Sequence, residues 1–481
     1  MNFIEILESR IAPALVFPTV VKGVLTITHD NTSGAGEDIV ITQTGVDTFT
    51  VKDTLPAVDT DFGSFTGVKS IAVKYGSNNS TLDLKVSTDG LSGALNITTT
   101  GGTNNFDLST VNGTSGRIVG KVNIIGASGS DSVSVSDGIA ISSPVTFDGH
   151  GGSDSFYPSN AYLAKKLTLE SVENITTATN TPVFIGGMVV ENEDAGSGVV
   201  FDLNSFAVIG GKLTYCGSAT VDDNVTIESQ VTGPALLMLF GGRNNVSVAG
   251  TFASSLTVTG GSGDDSITFN SRQTNFTNGQ EAYINPSIAG ALTMKLGDGT
   301  NDVTLGGGAF FAKGLTLTTG AGADTVNFTK FNALKNVTLT LGNGANTLNG
   351  TTAALDNAYI AGVFKYTGGT DVDTLDINHL IVGTMNVKLG NGANGITGAG
   401  RVIGKSAAIQ GGIDIDTLNF ALASNTAALT VKLNASDDKL TFLGGALAKV
   451  TLDGGIGDDT LVGALLLPAV KKITGFEVWF T

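Results

Sequence analysis

Cysteine is almost absent: Cys216 stands alone among 481 residues, so no internal disulfide can form and stability must come from packing, backbone ladders or bound ions. A lone thiol of this kind is expected to sit as a small buried apolar side chain. Aromatic platforms are also scarce, with one Trp and seven Tyr, which leaves little surface of the sort that sugar-processing solenoid enzymes use. Basic residues number 26 against 43 acidic ones, and the Lys and Arg are scattered rather than blocked. A net charge of −17 with no basic patch argues against nucleic-acid binding. No apolar run approaches the ~20 residues that span a bilayer as a helix. Near the start, MNFIEILESRIAPALVFPTVVKG has Glu5 and Glu8 where a secretory leader would be basic, and Pro13 and Pro18 interrupt its apolar stretch. A standard signal peptide is therefore not expected.

Glycine is abundant, at 66 residues, and hydrophobic residues still make up 41%. That apolar fraction is too high for a disordered acidic tail. Val, Ile, Leu and Thr occur in short alternating runs, which favours strands. The chain is read as all-β.

A repeat organises it. Gly-rich corners each close on an acidic or amide residue followed by a short apolar strand: GGSGDDSITF at Asp265, LGDGTNDVTL at Asn301, TGAGADTVNF at Asp324 and LGNGANTL at Asn346. The series continues with GGTDVDTLDI at Asp373, LGNGANGI at Asn394, GGIDIDTLNF at Asp416, LNASDDKLTF at Asp438 and GGIGDDTLVG at Asp459. Successive anchors are 36, 23, 22, 27, 21, 22, 22 and 21 residues apart, a period near 22 with one insertion around SRQTNFTNGQEAYINPS. Fainter corners carry the frame back through Asn245, Asn224, Asn174, Asp154, Asp131, Asn105 and Asn79, and the interval between Asn174 and Asn224 fits two turns, one degenerate.

Strands such as LTVT and LTVKL precede the corners, sending Leu256 and Val258, or Leu429 and Val431, to one face. After each corner the inward pair lies two and four residues past the anchor, as in Ile267 and Phe269, Val326 and Phe328, or Leu418 and Phe420. Two strands flank one turn in this reading. A unit of this size closes no core alone, so the expected fold is a parallel β-solenoid with capped ends and about sixteen or seventeen rungs. Residues 1–64 are assigned to an N-terminal segment and cap, 65–463 to the solenoid, and 464–481 to a C-terminal cap or lid.

GGSGDDSIT and GGIGDDTLV resemble the GGxGxDxUx nonapeptides of RTX proteins, the calcium-binding β-roll family. LESRIAPA resembles the LEPR-type N-terminal segment of large secreted planctomycete proteins, and VLTITHDNTSGAGEDIVI and FTGVKSIAVKYGSNNSTLDL resemble the leading portions of their Gly-rich repeats. The resemblance implies an extracellular bacterial repeat protein, and with it a role for residues 464–481 as an uncleaved C-terminal secretion signal. It departs from the β-roll in having a single corner per ~22 residues, so the facing calcium loop is missing from the pattern.

The middle corners alternate Asn301, Asp324, Asn346, Asp373, Asn394 and Asp416. Carboxylates stacked one strand apart would repel, whereas an intervening Asn donates as well as accepts, so the alternation is read as structural. Acid concentrates in Asp264 with Asp265, Asp437 with Asp438, and Asp458 with Asp459. Those six residues are the candidate calcium ligands. His29, His150 and His379 fall in no zinc spacing, and GAGRVIGKS at Gly398 to Ser406 lacks the glycine that a phosphate loop requires. The outward pairs Thr257 and Thr259, Thr316 and Thr318, and Thr338 and Thr340 resemble an ice-binding TxT column, interrupted by Lys295, Lys388 and Lys432.

The functional expectation is a secreted or cell-surface structural and adhesive repeat protein with calcium at its acidic corners. It would assemble with itself or meet a matrix partner, a polysaccharide among the candidates. The alternative from a different class is a carbohydrate-active β-helix enzyme, which would need clustered carboxylates beside basic residues.

Overall fold

The computed structural model describes residues 18–28, 36–54, 60–113, 115–192, 198–275, 281–351, 356–424, 427–463, 466 and 471–480. About 58% of the chain is strand, and among the described residues 3-10 geometry appears at Val111–Gly113 and at Leu466. The chain divides into two compact units, Met1–Gly211 and Lys212–Thr481. Each is a stretch of parallel β-solenoid with roughly 22 residues per turn.

One turn of the second unit shows how the sequence builds it. Leu256–Thr259 pairs in parallel with Ala291–Gly297 of the next turn, placing Leu256 beside Leu292 and Val258 beside Met294. The chain then rounds its Gly-rich corner into Asp265–Phe269, which pairs with Asp302–Leu305 and sets Ile267 beside Val303. A third strand of two or three residues completes the turn: Thr251–Phe252, Ser287–Ile288, Ala309–Phe311 and Phe331–Ala333 lie in one ladder. The turn therefore has three strands where the sequence pattern suggested two. The third is too short to display an alternation.

The inward face of the turns is apolar. Leu256, Val258, Ile267, Phe269, Phe252 and Phe311 are all at most 1% exposed. Aromatic side chains meet edge to face across the interior, Phe269 with Phe311 at 5.6 Å and Phe328 with Phe331 at 5.0 Å between centroids. Each such ring withdraws a side chain worth about 2–3 kcal/mol from water. The insertion after Phe269 forms a separate antiparallel hairpin, Arg272–Asn275 with Glu281–Ile284, anchored by an ion pair between Arg272 and Glu228.

Within the segment assigned to the N-terminal cap, Val24–Thr28 and Asp38–Gly45 already pair in parallel with Ser70–Lys74 and Ser80–Val86. Antiparallel strands cover their outer edges: Thr19–Val21 lies on Val24–Thr28, and Thr48–Asp53 lies between Asp38–Gly45 and Thr60–Thr66. Covered edges of this kind deny an incoming strand a template. At the other end, Lys471–Thr474 and Val478–Phe480 extend the ladder in parallel on Lys449–Asp453 and Thr460–Val462. The segment expected to form a lid thus adds another rung.

Candidate functional site

The residues that recur once per turn converge on one internal column at the corner. In the second unit it runs Asp223, Asn244, Asp265, Asn301, Asp324, Asn346, Asp373, Asn394, Asp416, Asp438 and Asp459, every member at most 2% exposed. In the first it runs Ser80, Asn104, Asp131, Asp154 and Glu173, likewise buried. Side chains here do what a strand ladder does elsewhere. The backbone N–H of Asp416 donates to Asp438 Oδ1 at 2.7 Å, that of Asp438 to Asp459 Oδ1 at 2.8 Å, and that of Asp459 to Glu477 Oε2 at 2.8 Å. The N–H of Asp131 donates to Asp154 Oδ1 at 2.6 Å and that of Asp154 to Glu173 Oε2 at 2.7 Å. A corner N–H that would otherwise be an unmet buried donor is thereby satisfied from the next turn.

Amide and acid corners are built differently. Where the column residue is Asn, its Nδ2 adds a second bond to the following carboxylate, as from Asn301 to Asp324 Oδ1 at 2.9 Å and from Asn394 to Asp416 Oδ1 at 3.0 Å. Asn244, Asn301, Asn346 and Asn394 each follow, five residues back, a fully buried leucine: Leu239, Leu296, Leu341 and Leu389. Asp265, Asp373, Asp416 and Asp459 instead follow Gly260, Gly368, Gly411 and Gly454 at that position. A Cβ on Gly368 would collide with Asp373 Oδ2 and with the carbonyl oxygen of Leu389 in the next turn. The glycine makes the space that the second carboxylate oxygen occupies, and from Asn244 to Asp416 amide and acid corners alternate with a two-turn period. Asp324 and Asp438 depart from the rule: Asp324 follows Thr319, whose hydroxyl bonds the Leu341 carbonyl at 2.9 Å, and Asp438 follows Leu433 in a corner of the amide type. There Asn434 and Ser436 hold φ of 78° and 79°, where the equivalent Gly390 and Gly392 hold 80° and 90°.

Burial governs the electrostatics. It pushes the Asp154 carboxyl up to about 8, with the neighbouring Glu173 and Asp131 adding to the rise. It lifts Asp438 to about 7, helped by Asp416, Asp459 and Asp437. Asp265 and Asp373 rise less, to about 6, because hydrogen bonding offsets part of the burial effect, from the Asn244 amide at Asp265 and from the Tyr366 hydroxyl and then Asn346 at Asp373. The highest values thus fall where carboxylates follow one another without an intervening Asn.

The six candidate calcium ligands divide by strand parity. Asp265, Asp438 and Asp459 point inward into the column, while Asp264 is half-exposed and Asp437 and Asp458 are exposed. The outer members bond along the stack too: Thr300 N–H donates to Asp264 Oδ1 at 2.8 Å and Asp458 N–H to Asp437 Oδ1 at 2.9 Å. Calcium takes six to eight oxygens. The inner carboxylates do not fit that requirement, because Oδ1 of Asp438 and Asp459 already accepts from the backbone N–H of the preceding corner, Oδ1 of Asp265 accepts from Asn244 Nδ2, and Oδ2 of Asp265 and Asp459 packs against Gly260 and Gly454. Among the described residues no three His, Cys, Asp or Glu side chains are grouped to hold a metal.

The chain matches no protein-family model, no curated protein and no solved structure.

The remaining candidates are scattered. His29 lies outside the described residues, as does LESRIAPA, while His150 pairs with Asp148 at 2.9 Å on the surface and His379 sits in a turn with φ of 55°. Cys216 is buried. GAGRVIGKS runs from the end of strand Gly395–Val402 through the short link Ile403 to Lys405 into strand Ser406–Gln410, so its Gly404-Lys405 pair joins two strands and leads to no helix. Thr316 and Thr318 do align with Thr338 and Thr340, and Lys295 stands in line with Thr318. In the fainter corners the column residues are Ser80, Asn104, Glu173, Asp223 and Asn244, each one position from the anchors Asn79, Asn105, Asn174, Asn224 and Asn245. The signal was present: inward Val246 and Val248 share the parity of Asn244, not of Asn245.

Proposed function

We propose that the protein is a structural and adhesive scaffold of the bacterial cell surface or surrounding matrix. The observation that carries this reading is the fate of the recurring acids and amides. The side chains that in an enzyme would be free to transfer protons or bind metal are here committed to hydrogen bonds between turns. A repeat elaborated for stacking extends a surface rather than enclosing a reaction centre. The net charge of −17 keeps that surface solvated and resists indiscriminate association. Calcium, where it is taken up, is held from outside by the exposed Asp437 and Asp458 of neighbouring corners. The resemblance of the corners and of LESRIAPA to secreted repeat proteins supports the location.

The test is labelling of intact source cells with a membrane-impermeant amine reagent, using antibody to recover the protein. Labelling without lysis is the expected result. Recovery of unlabelled protein from the soluble interior, reactive only after lysis, overturns the proposal.

A further inference from the structure

Outward positions on this solenoid are mostly Thr, Ser, Asn and Lys, and one column of the first unit departs from that pattern. Ala140, Tyr162, Phe184 and Val208 occupy equivalent positions in four successive turns. The rings of Tyr162 and Phe184 stack with centroids 4.7 Å apart and planes within 14°. Tyr162 is 51% exposed and Phe206, at the far end of the same groove, is 44% exposed. The groove has a volume of about 290 Å³ and runs across three strand spacings, roughly 14 Å. Gly210 is required beside it, since a Cβ there would stand 2.6 Å from Phe184 Cζ.

The rim is polar and uncharged. Asn160 is exposed at the groove's edge with φ of 46°, held in that conformation by its N–H donating to Thr181 Oγ1 at 3.2 Å. Thr181 Oγ1 also bonds Ser159 Oγ at 3.0 Å. No ionisable group other than the Tyr162 phenol lines the groove. Exposed aromatic surface that the fold does not need marks a binding site, and a few directed polar groups at its edge set the ligand class. Stacked rings offer faces and edges to C–H surface, and amide and hydroxyl groups match hydroxyls. A chain of charge −17 repels acidic polymers from a groove with no cation to receive them.

We propose that this groove binds a neutral glycan, with sugar rings packed on Tyr162, Phe184 and Phe206 and sugar hydroxyls bonded at Asn160. It rests on the scaffold reading for its biological sense, giving the adhesive surface its ligand, but its test does not depend on where the protein resides.

The experiment is affinity electrophoresis of the full chain through gels containing mixed-linkage β-glucan, xyloglucan, galactomannan or soluble glycol chitin, with polygalacturonate as the acidic comparison. Retardation by at least one neutral polymer is expected, with apparent affinity reduced tenfold or more in Tyr162→Ala and in Phe206→Ala. Tyr283→Ala, exposed on the hairpin of the other unit, should bind as the parent does. Thermal melts confirm that each variant is folded, and the Phe206 variant decides the question should Tyr162→Ala fail that check. The proposal is overturned by no retardation in any neutral polymer, by retardation in polygalacturonate alone, or by binding that both variants retain. A change in oligomeric state with no change in glycan binding also overturns it, since the aromatic face then joins copies of the chain. Surface labelling together with a failed glycan screen removes this groove and leaves the scaffold reading standing.

Discussion

Replacing Asp438 by Asn should stabilise the protein at neutral and alkaline pH. Asp438 occupies a corner whose Leu433 marks it as the amide type, and it is followed by Asp459 with no Asn between them. Its carboxyl is raised from 3.8 to about 7, chiefly by burial, so the folded state holds the proton more tightly than the unfolded chain does. The associated stability is fully present below about pH 4 and is lost as pH rises through about 7. At about 1.4 kcal/mol per tenfold change in proton affinity, the ceiling on that loss is roughly 4 kcal/mol. Relaxation and ionic screening bring the expected gain from Asp438→Asn to about 1–2 kcal/mol at pH 8. The new Nδ2 would also donate to Asp459 Oδ1, as Asn394 does to Asp416 at 3.0 Å. Urea midpoints of parent and variant at pH 8 and pH 4 measure the difference. An advantage for the variant at pH 8 that vanishes at pH 4 is expected. A variant weaker at both values, or an advantage independent of pH, refutes the assignment of Asp438 as a misplaced carboxylate.

Asp154 lies between Asp131 and Glu173, so Asp154→Asn should flatten the decline in stability of the first unit between pH 5 and pH 8, read from melting profiles across that range. Gly368→Ala should cost about 2–4 kcal/mol in urea unfolding, because the added methyl meets Asp373 Oδ2 and the Leu389 carbonyl. Gly395→Ala, where the nearest atom is Thr417 O at 3.7 Å, should be neutral or gain about 0.5 kcal/mol. Stripping metal and titrating calcium to millimolar concentration should shift the melting midpoint by less than about 2 °C, since the inner carboxylates already hold backbone donors. A large calcium-selective rise would mean that ions, not the N–H ladder, neutralise the column.

Much of the architecture can be read from particular residues. Ile267 and Phe269, or Leu418 and Phe420, declare an inward face because alternation over four residues is visible, and the corner period declares the stacking. The third sheet cannot be read that way: Thr251–Phe252 and Ser287–Ile288 offer one inward residue each. The two-turn alternation is visible in the sequence as Leu before Asn and, at Asp265, Asp373 and Asp416, Gly before Asp, but its meaning depends on the Asp373 Oδ2 contact, which the sequence does not display. For the double-acid corners, parity with the following apolar strand separates Asp265 from Asp264 and Asp459 from Asp458. Which carboxylates face water follows from that parity, and their identity as a set does not. The aromatic groove left no trace in composition, because Tyr162, Phe184 and Phe206 become neighbours only when turns of different length are in register.

The central claim is that side chains of one turn hold the corner amides of the turn before. Amide hydrogen exchange, resolved to the corners by fragmentation mass spectrometry, tests it directly. The account predicts that the N–H groups of Asn301, Asp324, Asp373, Asn394, Asp416 and Asp438 exchange as slowly as those of the strands that follow them. Exchange at these positions as fast as in exposed Gly-rich loops, beside protected strands, would contradict it.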